Sequence, residues 1–180
     1  MVTALIIQDI VLSRRRRSLP DPVDGHRDIW FDVTVTVENR GKSALHVIDQ
    51  LRGLTYDPAQ QRLTLRLCEL KPGALFETAP SFTLPTPSTI LLQPGDTATI
   101  TIAIPAILKE LQFDAGPSLK QTDLRDMRMI RCEVAASPKP IGKGQMLAPH
   151  DMRSLVFKWG ETVSSEVSVT PDDRDRTTAK

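Results

Sequence analysis

The chain has 180 residues, of which 40% are hydrophobic and 25% charged, and its formal net charge is +1. This length suits one domain with a sizeable core, and the hydrophobic fraction excludes an intrinsically disordered chain. The near balance of charges argues against bulk electrostatic attraction to nucleic acid or to an anionic membrane.

The N-terminal segment predicts a first strand. Residues 4–12 fit a strand with Ala4, Ile6, Ile10 and Leu12 facing inward, although their dense apolar residues also fit a helix. The apolar runs are far shorter than the roughly 20 residues of a membrane-spanning helix, and no basic segment precedes them as in a signal peptide. For the chain as given we therefore expect no membrane span and a cytoplasmic location.

A run of four arginines follows, made up of Arg14, Arg15, Arg16 and Arg17. We call it the arginine run and expect it in a loop of residues 13–28. Four adjacent guanidinium groups suit phosphates or a carboxylate-rich partner. However, three aspartates follow in the same loop, and no aromatic residue interleaves the run to stack on bases. A solvated loop is the simpler interpretation, and anion or nucleic-acid binding is the alternative.

Alternation of apolar and polar residues predicts most of the remaining strands. Residues 31–38 alternate strictly and are rich in β-branched types, which favours a half-buried strand. Glycine, proline, asparagine and aspartate separate such segments and supply the turns. The other predicted strands cover residues 45–48, 51–56, 62–68, 89–92, 97–104, 127–136, 153–159 and 163–169.

One short helix is expected over residues 106–111. Pro105 suits the first turn of a helix, where a missing amide hydrogen costs nothing. Residues 113–126 are expected to form a loop. The whole of residues 1–170 is expected to be one domain, followed by a flexible C-terminal tail at residues 171–180.

This series of short strands, with one short helix, indicates an all-β fold, and we expect an immunoglobulin-like two-sheet antiparallel sandwich. Each strand would bury one face against the facing sheet while threonines and charges stay in water. In such a strand order, the loop at residues 13–28 and the connection at 105–126 share one end of the sandwich. The turn at residues 39–43 and the connection at 137–152 share the other end.

Two segments resemble parts of bacterial immunoglobulin-like domains, in particular the cell-adhesion-related CARDB-type modules. Residues 33–44 resemble a strand and turn of these modules, with the sequence VTVTVENRGKSA. Residues 92–102 resemble their turn entering a later strand, with the sequence LQPGDTATITI. The resemblance implies a sandwich fold and protein–protein contact, and it implies no reaction. Antibody-type domains differ, because residues 31–37 contain no cysteine and Ile130 stands at the tyrosine-corner position.

The cysteines and histidines predict neither a metal site nor a catalytic site. Cys68 and Cys132 are too few for a disulfide scaffold or a four-ligand zinc site, and strand parity points them to opposite faces. No metal-ligand spacing relates His26, His46 and His150, and no nucleophile turn exists to partner a histidine. We therefore expect no metal, no cofactor and no enzymatic activity.

The long connection at residues 137–152 is a second candidate contact. Ile141, Met146 and Leu147 place apolar side chains in it, as is common at protein interfaces. The alternative is that these side chains fold back over the open end of the sandwich. With the arginine run, they predict a non-catalytic protein-binding or structural assembly module. Its partner would be another protein or a second copy, bound through loops and sheet edges such as residues 163–169.

Overall fold

A computed structural model describes residues 4–20, 27–68, 87–112, 118–141 and 159–170. These residues form an all-β fold without any helix, so none of their segments is a helix long and apolar enough to cross a membrane. In chain order the strands are β1 (Leu5–Pro20), β2 (Arg27–Asn39), β3 (Leu45–Ile48), β4 (Gly53–Asp57), β5 (Arg62–Leu67), β6 (Thr89–Leu92), β7 (Thr97–Pro105), β8 (Ile107–Gln112), β9 (Ser118–Asp123), β10 (Met129–Ser137) and β11 (Glu161–Ser168).

Two main sheets carry the fold. The first is three-stranded and antiparallel, in the order β1-β2-β7. The second has six strands around β10, which pairs with β11 on one side and with β5 and β3 on the other. Strands β4 and β6 extend this sheet beyond β5 and β3. The β5–β10 pair is parallel, which the purely antiparallel prediction did not include.

The apolar faces of both sheets form one hydrophobic core. Val33, Val35 and Val37 of β2 are fully buried, and so are Leu63 and Leu65 of β5. All of them belong to one cluster that draws on both sheets. The period-two alternation makes this possible, because it gives each strand one apolar face to bury.

Strand β1 contains a β-bulge that changes the predicted orientation of its first residues. The register between β1 and β2 shifts between Ile7 and Asp9. Because the extra residue reverses the alternation, Leu5 is buried, whereas Ile6, predicted to face inward, is only half-buried. Beyond the bulge the prediction holds, since Ile10 is buried.

The predicted helix at residues 106–111 is wrong. This segment forms strand β8, which pairs with β9 from Ile107–Asp123 to Gln112–Ser118. Strand β9 also occupies part of the predicted loop at residues 113–126. Leucine, lysine and glutamate are good helix formers, but helix propensity is a small preference, and pairing with β9 satisfies the same backbone groups.

Backbone pairing places the connections at two opposite ends. The Ala106 N–H donates to the carbonyl oxygen of Ile29 at 2.8 Å, so β8 begins beside the end of the β1–β2 hairpin. At the other end Ser137 pairs with His46, which brings the chain after β10 next to the turn that precedes β3. Residues 21–26, 113–117 and 142–152 lie outside the described ranges, so the expected arrangement of the loops at the two ends stays a prediction.

Candidate functional site

The arginine run lies in strand β1 and not in a loop. Within the β1–β2 hairpin, Arg14 pairs with Phe31, and Arg16 pairs with Ile29. The loop predicted for residues 13–28 is therefore wrong as far as residue 20. The backbone N–H and C=O groups of charged residues can form hydrogen bonds with a neighbouring strand as well as with water. A run of charged residues alone therefore does not indicate a loop.

Arg14 is the member of the arginine run whose side chain the structure describes. It is half-buried, two positions after the buried Leu12 and opposite the buried Phe31. Of Arg15, Arg16 and Arg17 the structure describes the backbone alone. The side chain of Arg14 thus begins next to the core.

The apolar residues of the 137–152 connection are only partly within the described ranges. Ile141 is half-buried and packs against the hydrophobic core. For this residue the finding agrees with the alternative that the connection folds back over the sandwich. Met146 and Leu147 lie outside the described residues, as do His26 and His150.

Asn39 joins the two segments that carry the family resemblance. It is fully buried, and its side-chain amide donates to the carbonyl oxygens of Ser43 at 2.9 Å and Leu92 at 3.0 Å. Its side-chain oxygen accepts the Gly41 N–H at 2.9 Å. Its backbone N–H donates to the carbonyl oxygen of Asp96 at 3.0 Å. One residue therefore fixes the turn after β2 against the turn before β7.

Paired charges cover part of the outer face of the six-stranded sheet. Glu133 of β10 lies 3.3 Å from Arg66 of β5 and 3.0 Å from Arg131. On the same face Arg62 lies 3.8 Å from Glu166 of β11. Such partly exposed pairs stabilise a fold only slightly. They do neutralise one another, so this face offers neither a bare cluster of cations nor a bare cluster of carboxylates.

An open groove of about 430 Å³ lies between the β4–β5 turn and β9. Its lining includes Tyr56, Gln61, Asp123 and Asp126. The Arg125 guanidinium hydrogen-bonds the Asp123 carboxylate and holds its pKa below the ordinary value. A general base at neutral pH needs a raised pKa, so this carboxylate is poorly suited to proton abstraction.

Cys132 faces the core, as strand parity predicts. Burial raises the pKa of its thiol to about 12, which keeps the thiol protonated and unreactive. Cys68 is half-buried, and neither cysteine forms a disulfide. Within the described ranges no three His, Cys, Asp or Glu side chains form a group that could hold a metal ion.

Strand β7 has one edge to which none of the described strands is paired, and we call it the open edge of β7. Its other edge pairs with β2 without a break, from the pair Thr97–Glu38 to the pair Pro105–Trp30. Its nine residues include no charged side chain. Its exposed outer face consists of Thr97, Thr99, Thr101 and Ala103. Long, flat, uncharged edges are sites where another strand adds to a sheet.

Apart from Pro105 at its C-terminal end, β7 lacks the protection that the other edge strands of the two main sheets carry. Strand β1 has a bulge and the exposed Asp9, and β11 carries Glu161 and Glu166. Strand β4 has five residues and ends at Asp57, and β6 has only four residues. The edge of β7 was not among the sheet edges predicted from the sequence. Its signal was available, because residues 97–104 alternate cleanly without one charged residue.

Comparison with known proteins found no matching family model, no matching curated protein and no matching solved structure.

Proposed function

We propose that this chain is a non-catalytic protein-binding or assembly module that receives a partner strand at the open edge of β7. The observation that carries the proposal is the nine-residue, uncharged edge itself. A strand added there gains backbone hydrogen bonds along the edge, while the alternating side chains give specificity.

An immunoglobulin-like sandwich is the fold that we infer for the module. The order β1-β2-β7 corresponds to strands A-B-E, and β6-β3-β10-β11 corresponds to C′-C-F-G. The chain crosses between the sheets from β2 to β3, from β6 to β7 and from β7 to β10, as this topology requires. The β4–β5 hairpin departs from it, because β5 lies parallel to β10 on the same side as β3.

The resemblance to CARDB-type modules supports the same proposal. Its two segments lie far apart in the chain, and hydrogen bonds of Asn39 to Leu92 and Asp96 hold them together. A family built from such sandwiches implies protein contact and no reaction. Asp123 and Glu133 are each paired with an arginine, which fits a structural role for these two carboxylates.

Site-specific photo-crosslinking tests the proposed function. A photoreactive amino acid at Thr101 is expected to yield a covalent protein adduct when the chain is expressed in its native source. The same amino acid at Thr55, an exposed threonine in β4 of the other sheet, is the control and is expected to yield none. Absence of any adduct at Thr101, or equal adducts at both positions, would refute the proposal.

Anion or nucleic-acid contact through the arginine run is a second proposal. It is favoured by the length of the β1–β2 hairpin, which continues past the last β2–β7 pair at Trp30 towards Pro20. Binding of a short DNA duplex should then weaken steeply with salt, because each phosphate contact releases counterions. Changing Arg15, Arg16 and Arg17 together to serine should remove both the binding and its salt dependence. An unchanged affinity would rule this proposal out.

A further inference from the structure

We infer that the strand received by β7 is the β7 strand of a second copy of this chain. The two strands run antiparallel about a twofold axis at Thr101, which joins two three-stranded sheets into one continuous sheet. This inference depends on the proposed function and names the partner at the same edge.

The hydrogen bonds of β7 show which of its backbone groups point to the open edge. In an antiparallel pair, bonded and non-bonded residue pairs alternate along the strands. The Asn39 N–H bonds to the carbonyl oxygen of Asp96, and the Ala106 N–H bonds to that of Ile29, so these flanking pairs are both bonded. Every second residue between Asp96 and Ala106 therefore also bonds to β2. The residues in between direct their backbone groups to the open edge: Thr97, Thr99, Thr101 and Ala103 present both an N–H and a C=O, whereas Pro105 presents only its C=O.

A twofold axis at Thr101 brings these edge-directed groups together. Thr101 then lies opposite Thr101 of the second copy, and Thr99 lies opposite Ala103. Each of these three residues has both an N–H and a C=O directed at the open edge, so every such pair can exchange two hydrogen bonds. If the register of the two β7 strands shifted by one residue, each residue with edge-directed groups would lie opposite a residue whose backbone groups already bond to β2.

The same register preserves the two faces of the sheet. Ile100 lies opposite Ile102 of the second copy, and both are buried on the inner face. Thr99 and Ala103 are exposed on the outer face. Antiparallel partners share a face, so inner residues meet inner residues and outer residues meet outer residues. No charge opposes a like charge anywhere along the strand, which makes the edge compatible with a copy of itself.

Disulfide trapping tests the register. In a Cys68→Ser background, Thr101→Cys places two thiols opposite each other, at a Cα separation of about 5.5 Å that a disulfide can span. Thr99→Cys is the matched control, because its two copies would lie about 14 Å apart along the strands. Mild oxidation should give a disulfide-linked dimer with Thr101→Cys and leave Thr99→Cys without one on a non-reducing gel. Equal cross-linking of both variants, or none with Thr101→Cys, would overturn the register.

Charge substitutions test the pairing without cysteine chemistry. Thr99→Lys with Ala103→Lys sets like charges opposite each other across the axis, whereas Thr99→Lys with Ala103→Glu sets opposite charges there. Within one chain, the two positions are too far apart to interact strongly. The lysine pair should weaken dimerisation at least about tenfold relative to the lysine–glutamate pair in sedimentation velocity. Equal dimerisation of the two double variants would overturn the inference.

The oligomeric state separates failure of this inference from failure of the proposed function. A wild-type protein that stays monomeric at every concentration refutes the second copy as partner. If the photoreactive Thr101 still captures a different protein, the proposed function stands and only the identity of the partner is wrong. If it captures none, the proposed function falls as well.

Discussion

Asn39 acts at the scale of a single residue, because its buried amide satisfies backbone groups from two turns. We expect Asn39→Ala to leave the carbonyl oxygens of Ser43 and Leu92 and the Gly41 N–H without their partner. The free energy of unfolding should fall by about 2–4 kcal/mol, as measured by urea denaturation. Lys42→Ala, an exposed change in the same turn, is the control and should stay within about 0.5 kcal/mol of wild type. Similar losses for both variants would contradict this role of Asn39.

The buried thiol of Cys132 predicts a loss of stability at high pH. Burial raises its pKa in the folded state to about 12 from an ordinary value of 9.0. As pH rises above the unfolded value, only the unfolded chain releases this proton, so stability decreases between roughly pH 9 and pH 12. Below pH 9 the thiol is protonated in both states and has no such effect.

Denaturation of wild type and Cys132→Ala across this pH range measures the effect. Their difference in unfolding free energy should change by up to about 1.4 kcal/mol per pH unit above pH 9. The smaller alanine side chain also lowers stability, but by the same amount at every pH. We therefore compare how the unfolding free energy changes with pH in the two proteins and not its absolute value. Parallel pH profiles for the two proteins would show that the thiol does not ionise differently in the two states.

At the scale of elements, two glycines with a positive φ that lie just before strands predict different costs for the same substitution. Gly95 has a φ of +86° and no atom within 4 Å of an added Cβ, so Gly95→Ala should cost about 1–2 kcal/mol from backbone strain alone. Gly160 has a φ of +70°, and its added Cβ would overlap the carbonyl oxygen of Ala136. Gly160→Ala should cost about 3 kcal/mol more, because β11 must move away from β10. Thermal denaturation compares the two, and equal losses would refute the close approach at Gly160.

The elements also show how much the sequence can predict. Strands with strict alternation, such as residues 31–38 and 97–104, are found where expected, because burial of one face enforces the pattern. The helix at residues 106–111 and the loop around the arginine run were wrong, since both segments gain their backbone partners from a neighbouring strand. Local propensity carries no information about such partners. The open edge of β7 likewise depends on the order of strands in space, which alternation does not encode.

At the scale of the whole molecule, one core shared by both sheets predicts a single cooperative unfolding transition. Trp30 lies in β2 of the three-stranded sheet, and the buried Trp159 precedes β11 of the six-stranded sheet. Trp159→Phe leaves Trp30 as the only tryptophan, and Trp30→Phe leaves Trp159. For each variant, denaturation is followed both by circular dichroism and by tryptophan fluorescence. The midpoints from the two signals should coincide. If either variant shows fluorescence and circular dichroism midpoints that differ, the two sheets unfold separately.

Strand β10 pairs with segments that precede it by a long stretch of chain, namely β3 and β5. The strands of the first sheet are all synthesised by residue 105, whereas β10 is complete only at residue 137. A chain growing on the ribosome therefore holds β1, β2 and β7 before the strand that unites the opposite sheet exists. During that interval the valine-rich side of β2 has no finished surface to cover it, which exposes the nascent chain to aggregation. Translation speed and chaperone supply around residues 105–137 thus bear directly on the yield of native protein.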